Sequence, residues 1–231
     1  MLELIDVLDE AAARKRLFGV YPAIVTDVKD EDGQGRVKVQ LPWSPDDDTG
    51  YAVWARLATF MAGGKRGAWF VPDKDDEVLV AFEGGDPRRP YVIGAMWNGK
   101  DAPPESMDSN GDNNKKVLAS RRNIRVTFDD TQGSETLTIE TPGGQKLTLK
   151  DGTTLVELRD TNSHAIKIES SGITVSGVAK ITLDATEVEV KGATLTVNCA
   201  ESTFKGHITA NAISTDSIDS KMYSPGVGNI W

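Results

Sequence analysis

Few residues in this chain have both the type and the spacing that chemistry requires. Cys199 is the single cysteine and follows the apolar residues Leu195 and Val197. A reactive thiolate needs a cation, an imidazole or a helix N-terminus beside it. Nothing near Cys199 in sequence offers one, so it reads as a small buried thiol. His207 is followed by Ile208 and Thr209. One imidazole per chain could hold a metal only where several copies meet on a common axis; otherwise it is a plain polar residue. Asp129 and Asp130 are adjacent, but glycoside hydrolysis needs two carboxyl groups across a protected groove. They lie beside a predicted strand, Ile124–Phe128, and read as the start of a turn. No catalytic residue and no cofactor is expected, and the chain reads as a structural protein rather than an enzyme.

The elements around these residues say more. From about Asn123 to Asn211 the chain repeats one small unit, two apolar residues one position apart and then a polar or glycine-bearing corner. The pairs are Leu137/Ile139, Leu147/Leu149, Val156/Leu158, Ile166/Ile168, Ile173/Val175, Ile181/Leu183, Val188/Val190 and Leu195/Val197. Alternation with period two marks half-buried strands, and a fixed repeat of strands marks a solenoid or fibre. A single-chain β-helix needs roughly twenty residues per coil to supply every wall. The step here shrinks from roughly ten residues to seven or eight, too short for that. Three copies around one axis solve the problem. Each chain supplies one wall, the sixteen residues of the pairs meet inside as the trimer axis, and the Thr, Ser, Lys, Glu and Asp between them face water. The expectation is an intertwined homotrimeric β-helix; an ordinary β-sandwich with regularly spaced strands is the alternative.

Charge removes other classes. The 231 residues hold 26 basic and 35 acidic side chains, a net charge of −9. A nucleic-acid binder needs a basic footprint, and an anionic lipid surface likewise attracts basic segments. No cationic region precedes an apolar run at the N-terminus, and no apolar run could span a bilayer, so assembly in the cytoplasm is expected. Residues 1–18, with Leu2, Leu4, Ile5, Val7 and Leu8, read as a short amphipathic helix, either a cap on its own domain or a docking helix. Five strands follow in 19–98: Gly19–Val28, Arg36–Leu41, Tyr51–Thr59, Glu77–Phe82 and Tyr91–Met96. That density suggests a small barrel of the OB type. Arg88 and Arg89 are expected either to pair with Asp46–Asp48 or the Asp73–Glu77 run, or to stay exposed. Residues 99–122, rich in Gly, Pro, Asn and Asp, read as a linker, with the needle in 123–206 and a distal apex in 207–231.

Five phrases stand in one order: Gly35-Arg-Val-Lys-Val-Gln-Leu-Pro-Trp43, Trp54-Ala-Arg-Leu-Ala58, Gly67-Ala-Trp-Phe-Val-Pro72, Asp76-Glu-Val-Leu-Val-Ala-Phe82 and Gly85-Asp-Pro-Arg-Arg-Pro-Tyr-Val-Ile-Gly94. Together they resemble the OB domain of phage baseplate assembly protein V and of the related valine-glycine repeat spikes of type VI secretion and extracellular contractile injection systems. With the strand repeat behind them, the resemblance covers residues from about 17 to 206. It implies an all-β chain, an OB-fold collar followed by a trimeric β-helix needle, acting as the membrane-puncturing central spike of a contractile tail or injection system. The implied partners are two further copies, a baseplate hub protein, tube proteins and a conical tip protein. Nucleic acid is not among them, and the target membrane is touched only during puncture. Some relatives carry a lysozyme domain between collar and needle; about twenty-five residues cannot hold one. The His-x-His end that binds iron in some relatives is missing at His207. Tyr223, Val227, Ile230 and Trp231 are the expected tip contacts. The rival readings are a β-helical polysaccharide-acting enzyme and a glycan- or partner-binding OB module on a fibrous stalk.

Overall fold

The computed structural model describes residues 16–42 and 51–221. Among them, regular structure is β-strand apart from one 3-10 turn, Glu83–Gly85. The helix expected in residues 1–18, the Asp46–Asp48 loop and the tip residues Tyr223, Val227, Ile230 and Trp231 lie wholly or mainly outside the described residues. The chain divides into two units, residues 1–180 and 181–231.

The first unit begins with a barrel. Its strands are β1 (Val20–Asp27), β2 (Val37–Leu41), β3 (Tyr51–Leu57), β6 (Glu77–Phe82) and β7 (Pro90–Ala95); a small hairpin of β4 (Ala62–Gly63) and β5 (Arg66–Gly67) lies between β3 and β6. The order β1-β2-β3-β7-β6 closes on itself, with β3 and β7 the one parallel pair. Closure leaves the barrel no open edge. Alternation along the strands builds the core: Val37, Val39 and Leu41 from β2, Val78, Val80 and Phe82 from β6, and Ala23 and Val25 from β1 are buried. A register shift between Val25 and Asp27 interrupts the β1–β2 ladder, and such bulges bend a strand as closure demands.

The β1–β2 connection is organised by Asp30. Its carboxylate accepts the backbone N–H groups of Asp32, Gln34 and Arg36 and binds the Arg36 guanidinium at 2.6 Å. That guanidinium, with the backbone donors, holds the Asp30 carboxyl well below the usual carboxylate range. Asx-type turns of this kind fix a hairpin without apolar contact.

A seven-stranded antiparallel meander follows in chain order: β8 (Lys115–Ala119), β9 (Arg125–Asp129), β10 (Thr136–Glu140), β11 (Lys146–Lys150), β12 (Leu155–Arg159), β13 (Ala165–Glu169) and β14 (Gly172–Ser176). Every strand has five residues, and the turns stack along the two sides. The Asp151 N–H donates to the Glu135 carbonyl at 2.9 Å, joining two turns on one side. Gly152 has φ +76, and any Cβ there would run into the Gly133 carbonyl, so this stack requires glycine.

The sheet starts inside the stretch expected to be a linker. Lys115–Ala119 already forms its first strand. The remaining connection is strapped down as well. Glu105 meets Lys115 at 3.9 Å and Arg125 at 3.5 Å, and the Arg125 guanidinium also donates to the Pro104 carbonyl at 3.2 Å. Arg121, in the β8–β9 turn, reaches Asp73 of the barrel at 2.9 Å.

In the second unit no described residue belongs to a strand, and all of residues 181–221 are exposed. Cys199, expected to be buried, is exposed in the single chain, its Sγ 3.0 Å from the Ser202 hydroxyl. The strand pattern around it is present, but no described residue covers it.

Candidate trimer interface

Register decides which side chains share a face of the meander. One row across the sheet runs Leu118, Val126, Ile139, Leu147, Leu158, Ile166, Val175. A second runs Phe128, Leu137, Leu149, Val156, Ile168, Ile173. Residues two apart on a strand point the same way, so both rows lie on one face. The first five apolar pairs of the repeat are all there. Val126 and Phe128 extend the rows upstream. Ile124–Phe128 reads as a strand in the sequence, and the spacing of Val126 and Phe128 within it matches that of the eight pairs.

No described residue covers this face. The buried hydrophobic core lies entirely in the barrel, whereas ten side chains of the two rows are between 39% and 71% exposed. Thirteen apolar residues in two unbroken rows far exceed the scattered apolar exposure of an ordinary surface. At ~4.8 Å between strands, seven strands make a wall roughly 30 Å tall.

The opposite face has the other chemistry. Its central row reads Val117, Thr127, Thr138, Thr148, Glu157, Lys167, Thr174. Ion pairs gather on it: Lys146 with Glu140 at 3.8 Å and Lys167 with Glu169 at 2.6 Å. Opposite charges across and along strands support pairing modestly and keep that face wet. One charged residue, Lys116, takes an apolar-row position, beside Phe128 on the first strand. Its ammonium turns to Asp130 at 2.9 Å and to the Asn113 carbonyl at 2.6 Å. That exception hid β8 from the sequence pattern.

The turns add electrostatics. Asp160 accepts the backbone N–H groups of Asn162 and His164 and meets His164 Nδ1 at 2.9 Å; the imidazole contact first, then the backbone donors, hold its carboxyl at about 2. Asp129 ends β9 and accepts both the N–H and the hydroxyl of Thr131; those bonds lower its pKa. It does start a turn.

The remaining candidates are placed differently. Ile181, Leu183, Val188, Val190, Leu195 and Val197 are exposed and lie on no strand. His207 is exposed, and no group of three or more His, Cys, Asp or Glu that could hold a metal occurs among the described residues. Arg88 and Arg89 do not pair with the Asp73–Glu77 run. Arg88 binds Asp86 at 2.9 Å and Arg89 binds Glu83 at 3.4 Å, both within their own turn. A partner two to six residues away costs less chain entropy to reach than a distant one.

Residues 21–97 match the family model of the type VI secretion system and phage-baseplate injector OB domain, and residues 136–196 match the phage baseplate V C-terminal trimerisation domain. The chain belongs to the phage baseplate V and valine-glycine repeat spike family. Both matches fall on the elements described above, one on the barrel and one on the two-row sheet and its continuation. Among the relatives is the type VI secretion system spike protein VgrG1a of Pseudomonas aeruginosa, 26% identical over 92% of this chain and 37% of that protein. VgrG5 of the same organism is 35% identical over 42% of this chain and 13% of that protein. VgrG3 of Vibrio cholerae is 30% identical over 45% of this chain and 11% of that protein. The chain thus spans little more than a third of even the most fully covered of these spike proteins. Its fold is all-β, an OB barrel followed by a strand repeat of the β-helix type.

Proposed function

We propose that this chain is a homotrimeric, non-enzymatic central spike of a contractile tail or injection system. Three meanders enclose one apolar axis, with the residues from Leu137 to Val197 named above pointing inward, and the shaft acts mechanically when a sheath drives it into a target envelope. The observation that carries this reading is the two-row apolar face, which no described residue covers. The match to a trimerisation domain supports three copies as the means of covering it. Beyond β14 the apolar pairs continue at steps of seven or eight residues without a strand partner among the described residues. Backbone groups in a dry core need partners. In this reading residues 181–197 pair with the neighbouring chains, so the shaft passes from three walls to an intertwined section.

The domain limits follow the same reading: a collar in 19–98, a strapped connection in 99–114 and a needle from 115. The collar seats on the baseplate hub, and residues 207–231 serve the apex. The spike proteins that the chain matches support the mechanical role. Capture of the hub protein of its own system tests the seating. We expect residues 1–98 to retain the hub and residues 115–231 not to. Retention by the needle fragment alone would overturn this assignment of the collar.

A further inference from the structure

We propose that Asn110 is a site of self-modification, where the side-chain amide is lost to water and aspartate or isoaspartate results, while Asn98 is shielded from the same reaction. The attacking group is the chain itself: the backbone nitrogen of the next residue adds to the side-chain amide carbon. A glycine there leaves that nitrogen unscreened and the backbone free to turn toward it. Asn-Gly occurs twice in the chain, at Asn98-Gly99 and at Asn110-Gly111. Their surroundings separate the two.

Asn98 is half-buried where the chain leaves the barrel. Its Oδ1 accepts the N–H groups of Lys100 and Asp101, both at 2.8 Å, and its Nδ2 donates to the Glu77 carboxylate of β6 at 2.7 Å. The Asn98 N–H in turn donates to the Asp101 carbonyl at 3.0 Å, closing the loop. The side-chain bonds must all break before Cγ can swing to the Gly99 nitrogen. Loss of the amide there would also set two carboxylates against each other in place of an amide–carboxylate bond.

Asn110 is exposed, and its side chain is held by two long contacts. The Ser109 hydroxyl donates to its Oδ1 at 3.3 Å, and its Nδ2 donates to the Asp112 carboxylate at 3.5 Å. The hydroxyl sits on the oxygen that gains negative charge as the amide is attacked. The Gly111 N–H donates to the Asp108 carbonyl at 3.0 Å, in a turn where Gly111 has φ +76. That is one turn bond in an exposed loop, and such bonds open far more readily than those inside a sheet. When it opens, the Gly111 nitrogen bonds to Asn110 Cγ, the Cγ–Nδ2 bond breaks, and ammonia leaves with the proton that the nitrogen gave up. The five-membered imide then takes up one water. Opening at Cγ gives aspartate; opening at the Asn110 main-chain carbonyl gives isoaspartate, whose backbone runs through one more carbon. Either product adds a carboxylate between Asp108 and Asp112, just ahead of β8.

The full chain is incubated in mildly alkaline buffer made with heavy-oxygen water, once folded and once in guanidinium. Peptides holding each asparagine are followed by mass spectrometry, with the two product isomers separated by chromatography. In the folded chain, conversion at Asn110 should run at least about tenfold faster than at Asn98, with heavy oxygen in both isomers; in guanidinium the two rates should come within about threefold of each other. No conversion at Asn110 in the folded chain, or a rate at Asn98 that equals or exceeds it, overturns the proposal. A ratio that is the same folded and unfolded overturns it too, because the selectivity would then owe nothing to the fold. A second measurement uses Glu77→Ala, which removes the acceptor of the Asn98 amide. Conversion at Asn98 should rise by about threefold or more while Asn110 is unaffected; an unchanged rate at Asn98 contradicts the shielding.

Discussion

Leu147 and Thr148 are neighbours in β11 with opposite fates. Leu147 stands in an apolar row between Ile139 and Leu158; Thr148 stands on the other face between Thr138 and Glu157. In a trimer, Leu147→Asp brings three carboxylates to a dry axis, a loss of about 3 kcal/mol or more per chain. Thr148→Asp adds one charge near Glu157 in water and costs less than about 1 kcal/mol. Thermal melting of the two variants checks this; equal shifts would mean that the faces are assigned the wrong way round. Asp160 gives the pH dependence. Its carboxyl, held at about 2 against an ordinary 3.8, contributes stability that is fully present above the ordinary value and is lost as pH falls through the lower one. Melting temperature should therefore fall less between about pH 4 and about pH 2 in Asp160→Asn than in the parent. Parallel curves would remove Asp160 from the account. Residues of this kind are hard to read from sequence. Asp30 organises the first hairpin through backbone donors, and an Asp in a turn carries no mark of how many N–H groups it will accept.

At the scale of elements, legibility followed the apolar pattern. The barrel strands were readable because both their faces obey period two, as in β2 and β6, where buried and half-buried residues alternate strictly. The hairpin of Ala62–Gly63 and Arg66–Gly67 was not, because its ladder is made of glycine and backbone rather than of side-chain alternation. β8 escaped because Lys116, at the end of the second row, takes the place of an apolar residue. The last three apolar pairs were legible as pattern, yet none of them lies on a strand among the described residues. The step length explains the change. From Leu137 to Ile166 the pairs recur at nine or ten residues, room for a five-residue strand and a turn that folds it back. The last hairpin of the meander closes with a seven-residue step and a tight turn at Ser170–Ser171. Beyond it no described residue belongs to a strand. If residues 181–197 pair between copies, their amides should be protected from hydrogen exchange in the assembled protein. Unprotected amides there, beside a protected β9–β13 meander, would contradict the intertwined section.

Across the whole molecule, barrel and meander differ in what they bury. The barrel buries its own core and needs no partner to close it; the meander buries none of its apolar rows. A chain with that division has a domain that can fold alone and a shaft whose stability is inseparable from assembly. Charge agrees with the division, since three copies at −9 each stay soluble once the rows are enclosed. The strap of Glu105, Lys115 and Arg125, with the Arg121–Asp73 contact, links the barrel to the first two strands of the meander. The central claim is that the exposed rows are an axis shared by three copies. Light-scattering mass of the full chain at micromolar concentration tests it most directly. The account predicts three times the chain mass of 24.9 kDa, with no folded species at the single-chain value. A folded, protected monomer at 24.9 kDa would contradict it.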